Sequence, residues 1–218
     1  MASLSPADRR ARLLCTHDID LVVDVGANAG QYASSLRAVG YERRIASFEP
    51  LSEPYRRLAA ASAEDAAWDS WQLALGARSG IAPINVAQDT RNSSLLAVGE
   101  HHLRAVPDSR ALGVETVGVE RLDVLWPRIA DGARSPYLKL DTQGYELEVL
   151  HGASAVLGAV VLVEAELSLL PTYDGGPLFA HVVAFLAEHG FVPIAFEGVL
   201  DDVETGEMLQ ADAIFRSS

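Results

Sequence analysis

The residues of this chain that could do chemistry gather in four short stretches. Asp24 stands two residues before Gly26 in LVVDVGANAGQYA, and Glu49 closes RIASFEP. Lys139 and Asp141 are two apart in YLKLDTQGYELEVLHGA, and Glu164 and Glu166 flank an alanine in VVLVEAELS. Each acidic group follows or ends an apolar run, as expected of carboxylates carried to one edge of a buried parallel sheet. There a carboxylate can accept from ribose hydroxyls, attract a cationic ligand, bind a hard metal ion, or take a proton from a hydroxyl.

The first stretch decides which ligand the others serve. Leu21 to Val25 is β-branched and lacks polar alternation, which predicts a strand covered on both faces. Gly26 and Gly30, with Ala27 between strand and helix, let the backbone turn tightly and approach a ligand. A dinucleotide site would want glycines where Asn28 and Gln31 stand. Asp24 would repel a diphosphate but attract S-adenosylmethionine, which carries a sulfonium, an ammonium and no phosphate. Glu49, at the end of a second strand over Arg44–Phe48 and followed by Pro50, is placed to accept both ribose hydroxyls. A third strand over Trp68–Leu75 would put Leu75 beside the adenine. The competing reading is an ordinary strand-turn-helix.

The third and fourth stretches supply the reacting end. A strand over Tyr137–Leu140 places Asp141 at its carboxyl end, with a helix starting within Thr142–Gly144. Lys139 shares a face with Asp141, and a lysine inside an apolar strand calls for a structural or catalytic ion pair, so Lys139 joins Asp141 as a catalytic candidate. Glu146 answers the helix dipole. A strand over Val160–Val163 ends in Glu164-Ala165-Glu166, whose two carboxylates share a face and can approach Asp141. For methyl transfer to a hydroxyl, Asp141 is the first choice of base. The alternative is Mg2+ or Ca2+ held by Asp141 with Glu164 or Glu166. His101 and His102 are adjacent and read as exposed loop residues, and His151 as structural.

Composition bounds the rest. At 218 residues the chain reads as residues 1–18, an N-terminal helix capped by Ser5, and residues 19–218, one domain. Thirty acidic against 17 basic residues give a formal charge of -13, which argues against nucleic acid or an anionic membrane as partner. Cys15 is the one cysteine, so no internal disulfide or multi-cysteine metal site forms. No apolar stretch has spanning length and no charged-then-apolar leader follows Met1, so a soluble, cytoplasmic protein is expected. A homo-oligomer is left open.

Taken together, VVDVGANAGQY, SFEP, NSSL, LKLDTQGYELEVLHGA and VVAFLAEHGFVPIAF run in order over roughly Asp20 to Arg216 and resemble the FkbM family of S-adenosylmethionine-dependent methyltransferases. The resemblance implies an α/β, Rossmann-like class I fold: a seven-stranded, mostly parallel sheet with an antiparallel last strand and helices on both faces. It implies that Asp24, Gly26, Asn28, Gly30 and Glu49 line the cofactor, and that Asp141 faces the methyl group and acceptor. The expected activity is O-methylation of a small molecule, a sugar or glycan end, or a polyketide-like hydroxyl. Acceptor loops are expected at Thr90–Arg110 and Leu167–Pro177. A non-catalytic cofactor-binding subunit and a nucleotide-dependent oxidoreductase are the alternatives.

Overall fold

The computed structural model describes residues 4–218. Seven strands form the main sheet: β1 (Leu21–Val25), β2 (Arg44–Phe48) and β3 (Trp68–Trp71) on one side. A small sheet follows from β4 (Ala74–Leu75), β5 (Gly80–Ala87) and β6 (Ala111–Glu120). The chain then returns through β7 (Pro136–Leu140), β8 (Leu162–Ser168), β9 (Phe191–Asp201) and β10 (Met208–Ser217). The order across the main sheet is β3-β2-β1-β7-β8-β10-β9, so strands are added outward from β1 on one side and then, from β7, on the other. Only β10 runs antiparallel to its neighbours, so the expected seven-stranded arrangement holds.

Helices cover both faces because alternate residues of the buried strands point to opposite sides. Val22, Ile45, Tyr137 and Leu162 face one layer, which holds α1 (Pro6–Thr16), α2 (Gln31–Ala38) and α3 (Ser52–Ser62). Leu21, Val23, Leu138 and Val163 face the other, made by α5 (Leu122–Ile129), α6 (Glu146–Ala153) and α7 (Phe179–Glu188). Ahead of α5 in the chain, α4 (Glu100–Ala105) lies in the long connection between β5 and β6. As expected, Ser5 caps α1, accepting from the backbone N–H of Asp8 at 3.2 Å. Leu14 on α1 packs into the same apolar layer as Leu36 and Leu58. Met1–Ser3, within the expected N-terminal segment, lie outside the described residues.

Three local expectations change. The strand expected over Trp68–Leu75 is broken after Trp71, and Ala74–Leu75 pair instead with Val119–Glu120 in the small sheet. The cause is the partner: β2 ends at Phe48, and past it Pro50 has no N–H to continue a ladder. The fifth strand runs on to Ser168, so Glu164 and Glu166 lie within β8 and not beyond it. His102 is not an exposed loop residue: it sits on α4 and is 2% exposed.

Candidate active site

The site forms where β1 and β7, adjacent and parallel, reach their carboxyl ends. The Asp141 N–H donates to the carbonyl of Val25 at 3.0 Å, drawing the two ends together. Gly26 sits in this contact at φ +80°, and a Cβ there would lie 1.8 Å from the Asp141 carbonyl oxygen. No other residue fits so close an approach. The N–H groups of Gly26 and Ala27 both donate to the Phe48 carbonyl at 3.0 Å, tying the turn to β2. Asn28 follows in the left-handed region, φ 46°, and its N–H donates to Glu49 Oε2 at 2.9 Å. Glu49 Oε1 accepts from the Leu51 N–H at 2.8 Å. Burial pushes the Glu49 pKa up to about 7, although both backbone bonds work against that rise.

Two cavities meet at this turn. A narrow, largely apolar one is lined by Glu49, Pro50, Leu75, Ile84, Leu95 and Tyr145. A wide one of about 620 Å³ is lined by Ala27, Gln31, Lys139, Glu164, Glu166 and His102, among others. Gly26, Asn28, Arg91, Asp141 and Gln143 border both. Thr90 and Ser94 from the first expected acceptor loop reach the narrow side. From the second, Tyr173 donates its hydroxyl to Gln143 Oε1 at 2.6 Å.

The sequence-expected residues divide accordingly. Gly26, Asn28, Glu49, Pro50, Leu75 and Asp141 border the narrow cavity, and Ala27, Gln31 and Lys139 the wide one. Asp24 and Gly30 border neither. Gly30, at φ +87°, lies under the turn, where a Cβ would meet the Trp68 ring at 2.7 Å. Asp24 is fully buried because Lys139 stands beside it in register on β7. Its Oδ1 is 3.2 Å from the Lys139 ammonium, and Ser47 Oγ donates to its Oδ2 at 3.3 Å. Burial raises the Asp24 pKa and the lysine opposes that rise. Burial also works against the charge on Lys139, but Asp24 and Asp141 outweigh it and its pKa is raised.

Asp141 is held from two sides while its side chain stays 41% exposed. The Lys139 ammonium is 3.4 Å from Oδ2, and Gln143 Nε2 donates to Oδ1 at 2.8 Å. The same Gln143 amide donates to Glu166 Oε2 at 3.0 Å, which also accepts from Gln210 at 2.7 Å. Gln143 keeps φ 56°, fixed by its Tyr173 bond and by Ser94 Oγ donating to its carbonyl at 2.7 Å. Glu146 is buried and does more than answer the dipole. Its Oε1 accepts from the N–H groups of Thr142 at 2.8 Å and Gly144 at 3.2 Å, closing the turn before α6.

The expected metal ligands do not form a site. Arg10 of α1 donates from Nε to Glu164 Oε1 at 2.7 Å, and the hydroxyls of Tyr32 and Tyr137 donate to Oε2 at 2.7 and 2.6 Å. With both oxygens committed to a cation and two hydroxyls, Glu164 has no place beside Mg2+ or Ca2+. Glu166 spends an oxygen on two amides, and among the described residues no three His, Cys, Asp or Glu side chains converge. Sequence reasoning missed Arg10, Tyr32, Gln143 and His102. Gln143 carried a signal, lying between Asp141 and Gly144 inside the motif. Arg10 and Tyr32 carried none.

A parallel sheet with one antiparallel strand, a glycine turn after β1, an acidic residue after β2 and a second acidic residue after β7 define a class I S-adenosylmethionine-dependent methyltransferase. The sequence profile of the methyltransferase FkbM domain matches residues 24–193, and the chain belongs to that family. Magnesium protoporphyrin IX methyltransferase from Synechocystis PCC 6803, solved with S-adenosylmethionine bound, is similar in structure. It has a TM-score of 0.53 and 10% identity over 97% of this chain and 78% of that one. An rRNA methylase from Streptococcus thermophilus gives a TM-score of 0.51 and 9% identity over 99% of both chains. At such identities the likeness establishes the fold. A search of curated proteins finds no match. Family membership overturns the oxidoreductase and non-catalytic alternatives. Among the described residues no helix is long and apolar enough to cross a membrane.

Proposed function

We propose that this methyltransferase acts on a hydroxyl oxygen of a small molecule, sugar or glycan end, with cofactor in the narrow cavity and acceptor in the wide one. The observation that carries this reading is the position of Asp141, on the border of both cavities with its carboxylate oriented by Lys139 and Gln143. The turn fits the cofactor: Gly26 makes a cradle that a Cβ would fill, and Glu49, with an N–H on each oxygen, keeps lone pairs for ribose hydroxyls. Leu75 and Tyr145 supply apolar walls for the adenine.

When bound, S-adenosylmethionine supplies an electrophilic methyl on a sulfonium that leaves as a neutral thioether. Asp141 takes the proton of the acceptor hydroxyl as its oxygen bonds to the methyl carbon. Lys139 and Gln143 keep the carboxylate in one place, so that alignment is set before the acceptor arrives. Tyr173 and Ser94 in turn fix Gln143.

The test is transfer of labelled methyl from S-adenosylmethionine into simple glycosides and polar extracts, with and without chelator. A base-stable ether product, formed equally with chelator, is the expected result. Asp141→Asn should lower kcat by about 10²–10⁴ while leaving S-adenosylhomocysteine affinity within about twofold. Label in nitrogen or carbon products, or an undiminished Asp141→Asn enzyme, would overturn the reading.

A further inference from the structure

Two parts of the chain that lie far apart in sequence meet at the wide cavity. β8 and β9 are each antiparallel to β10, so β9 also ends at the carboxyl edge of the sheet, and the hairpin after it rises there. Val199 and Leu200, at the base of that hairpin, border the cavity. The connection between β5 and β6 reaches it from the small sheet, through His102 and Val106. Arg104 joins the two arms, its Nε donating to Asp202 Oδ2 at 3.0 Å. Asp202 Oδ1 serves its own turn, accepting from the N–H groups of Glu204 at 2.9 Å and Thr205 at 3.3 Å, so the hairpin offers the other oxygen from a fixed place.

The stretch around Arg104 is tied firmly only at its ends. The Gly99 N–H donates to the Thr172 carbonyl at 2.8 Å, and the Asp89 N–H donates to the Asp108 carbonyl at 2.9 Å. Among the described residues, no hydrogen bond or ion pair of Glu100–Pro107 other than that of Arg104 with Asp202 reaches outside Gly99–Arg110. The His102 ring packs on Tyr173, with centroids 5.1 Å apart, and holds the stretch down. Closure also has a cost: His102 Nδ1 and Nε2 and Ser109 Oγ are buried with no partner in the protein, and opening would give them water. Arg104 is 47% exposed, so solvent weakens its hold on Asp202. A stretch anchored at both ends, shut by one screened ion pair and burdened with unmade polar contacts, belongs to the low-stability end of a structure, from which lids are drawn.

We infer that Glu100–Pro107 is a flap over the wide cavity, latched by Arg104 to Asp202, and that it lifts to admit the acceptor and to release the methylated product. The inference rests on the reading above that places the acceptor in this cavity. Arg104 and Asp202 act on access alone and touch neither cofactor nor acceptor. His102 is the part of the flap that seats against the body, and its nitrogens meet solvent only when the flap is up.

The shielded ring gives a direct reading of opening. The full chain with S-adenosylhomocysteine bound is treated with diethyl pyrocarbonate, which acylates neutral imidazoles, and each histidine is scored by peptide mass. Burial holds the His102 pKa down, to about 4, so the ring is neutral at neutral pH and only access limits its labelling. His102 should label at least about tenfold more slowly than the exposed His151. Arg104→Gln should speed His102 at least about tenfold with His151 unchanged, and Arg104→Lys, which keeps the charge, should stay near the wild-type rate. An unchanged His102 rate in Arg104→Gln, or one that rises only together with amide exchange throughout the sheet, overturns the latch. To test the gate, Arg104→Cys and Val203→Cys, the latter at a site 92% exposed beside Asp202, are joined by a cleavable bismaleimide in a Cys15→Ser background. Methyl transfer to simple glycosides should fall at least about tenfold in the joined enzyme and return on cleavage, with S-adenosylhomocysteine affinity within about twofold throughout. Full transfer while joined overturns the gate and leaves the hydroxyl-methylation reading standing. Ether product absent from every form, the wild type included, would remove that reading, and His102 labelling then decides the flap by itself.

Discussion

Lys139 occupies a position where an apolar side chain would ordinarily stand, in a strand whose five residues are all buried. Its ammonium lies between the fully buried Asp24 and the partly exposed Asp141, so one charge serves both a structural and a proposed catalytic carboxylate. Removing a single member of a buried pair costs about 3–5 kcal/mol because the other charge is stranded, whereas replacing both is often close to neutral. Lys139→Met should therefore lower unfolding free energy in urea by that amount, and Asp24→Asn combined with Lys139→Met should recover most of it. If the double variant is no more stable than the single one, the pair is not what holds these strands in register. Methyl transfer should stay low in both, since Asp141 has lost a neighbour that orients it.

At the scale of elements, legibility follows sequence distance. The turn after β1 was readable because a buried strand, two glycines and a helix start lie within Leu21–Ala33, and Glu49 and Asp141 were readable because each ends its own strand. What stayed hidden depends on partners far along the chain. The ion pair of Asp24 shows only once β7 sets Lys139 beside it, and the Trp68–Leu75 strand looked continuous because nothing local says that β2 runs out. His102 looked exposed because its cover comes from Tyr173, on a distant loop. The reach of Arg10 was the least legible, since it crosses 154 residues to Glu164. That contact gives α1 its role, as a helix lying outside the family-matched segment yet walling the wide cavity. Arg10→Met would leave Glu164 buried with only hydroxyl donors, at a cost of about 3 kcal/mol. Limited proteolysis should then cut between α1 and β1, near His17–Asp20, faster than in the wild type. An unchanged cleavage rate would mean that Leu14 and its apolar neighbours hold α1 without the ion pair.

At the scale of the molecule, most of the 30 acidic groups are solvated, but a handful are set where burial makes charge costly. The pKa of Glu49, Glu146 and Asp212 is pushed up to about 7 by burial, from ordinary values of 4.5, 4.5 and 3.8. Glu166 moves in the same direction for the same reason, with Asp141 and Glu146 adding to it. A group whose pKa is higher folded than unfolded binds more protons in the native state between the two values. Its contribution to stability is complete below the unfolded value and is lost as pH rises through the folded one. Asp65 and Asp89 have lowered values through Arg37 and Arg91, so their contributions fade only below about pH 4, and solvent screens them. The ligand-free protein should thus be most stable at about pH 4, with Tm falling by about 5 °C or more by pH 8. S-adenosylhomocysteine should reverse part of this fall, because ribose hydroxyls donate to the ionised form of Glu49, and the rise in Tm on adding it should grow from pH 5 to pH 8. Melting curves across that range, with and without the ligand, read both effects. A flat profile without ligand would show that water reaches these carboxylates. A ligand effect that does not grow with pH would take Glu49 out of the ribose site.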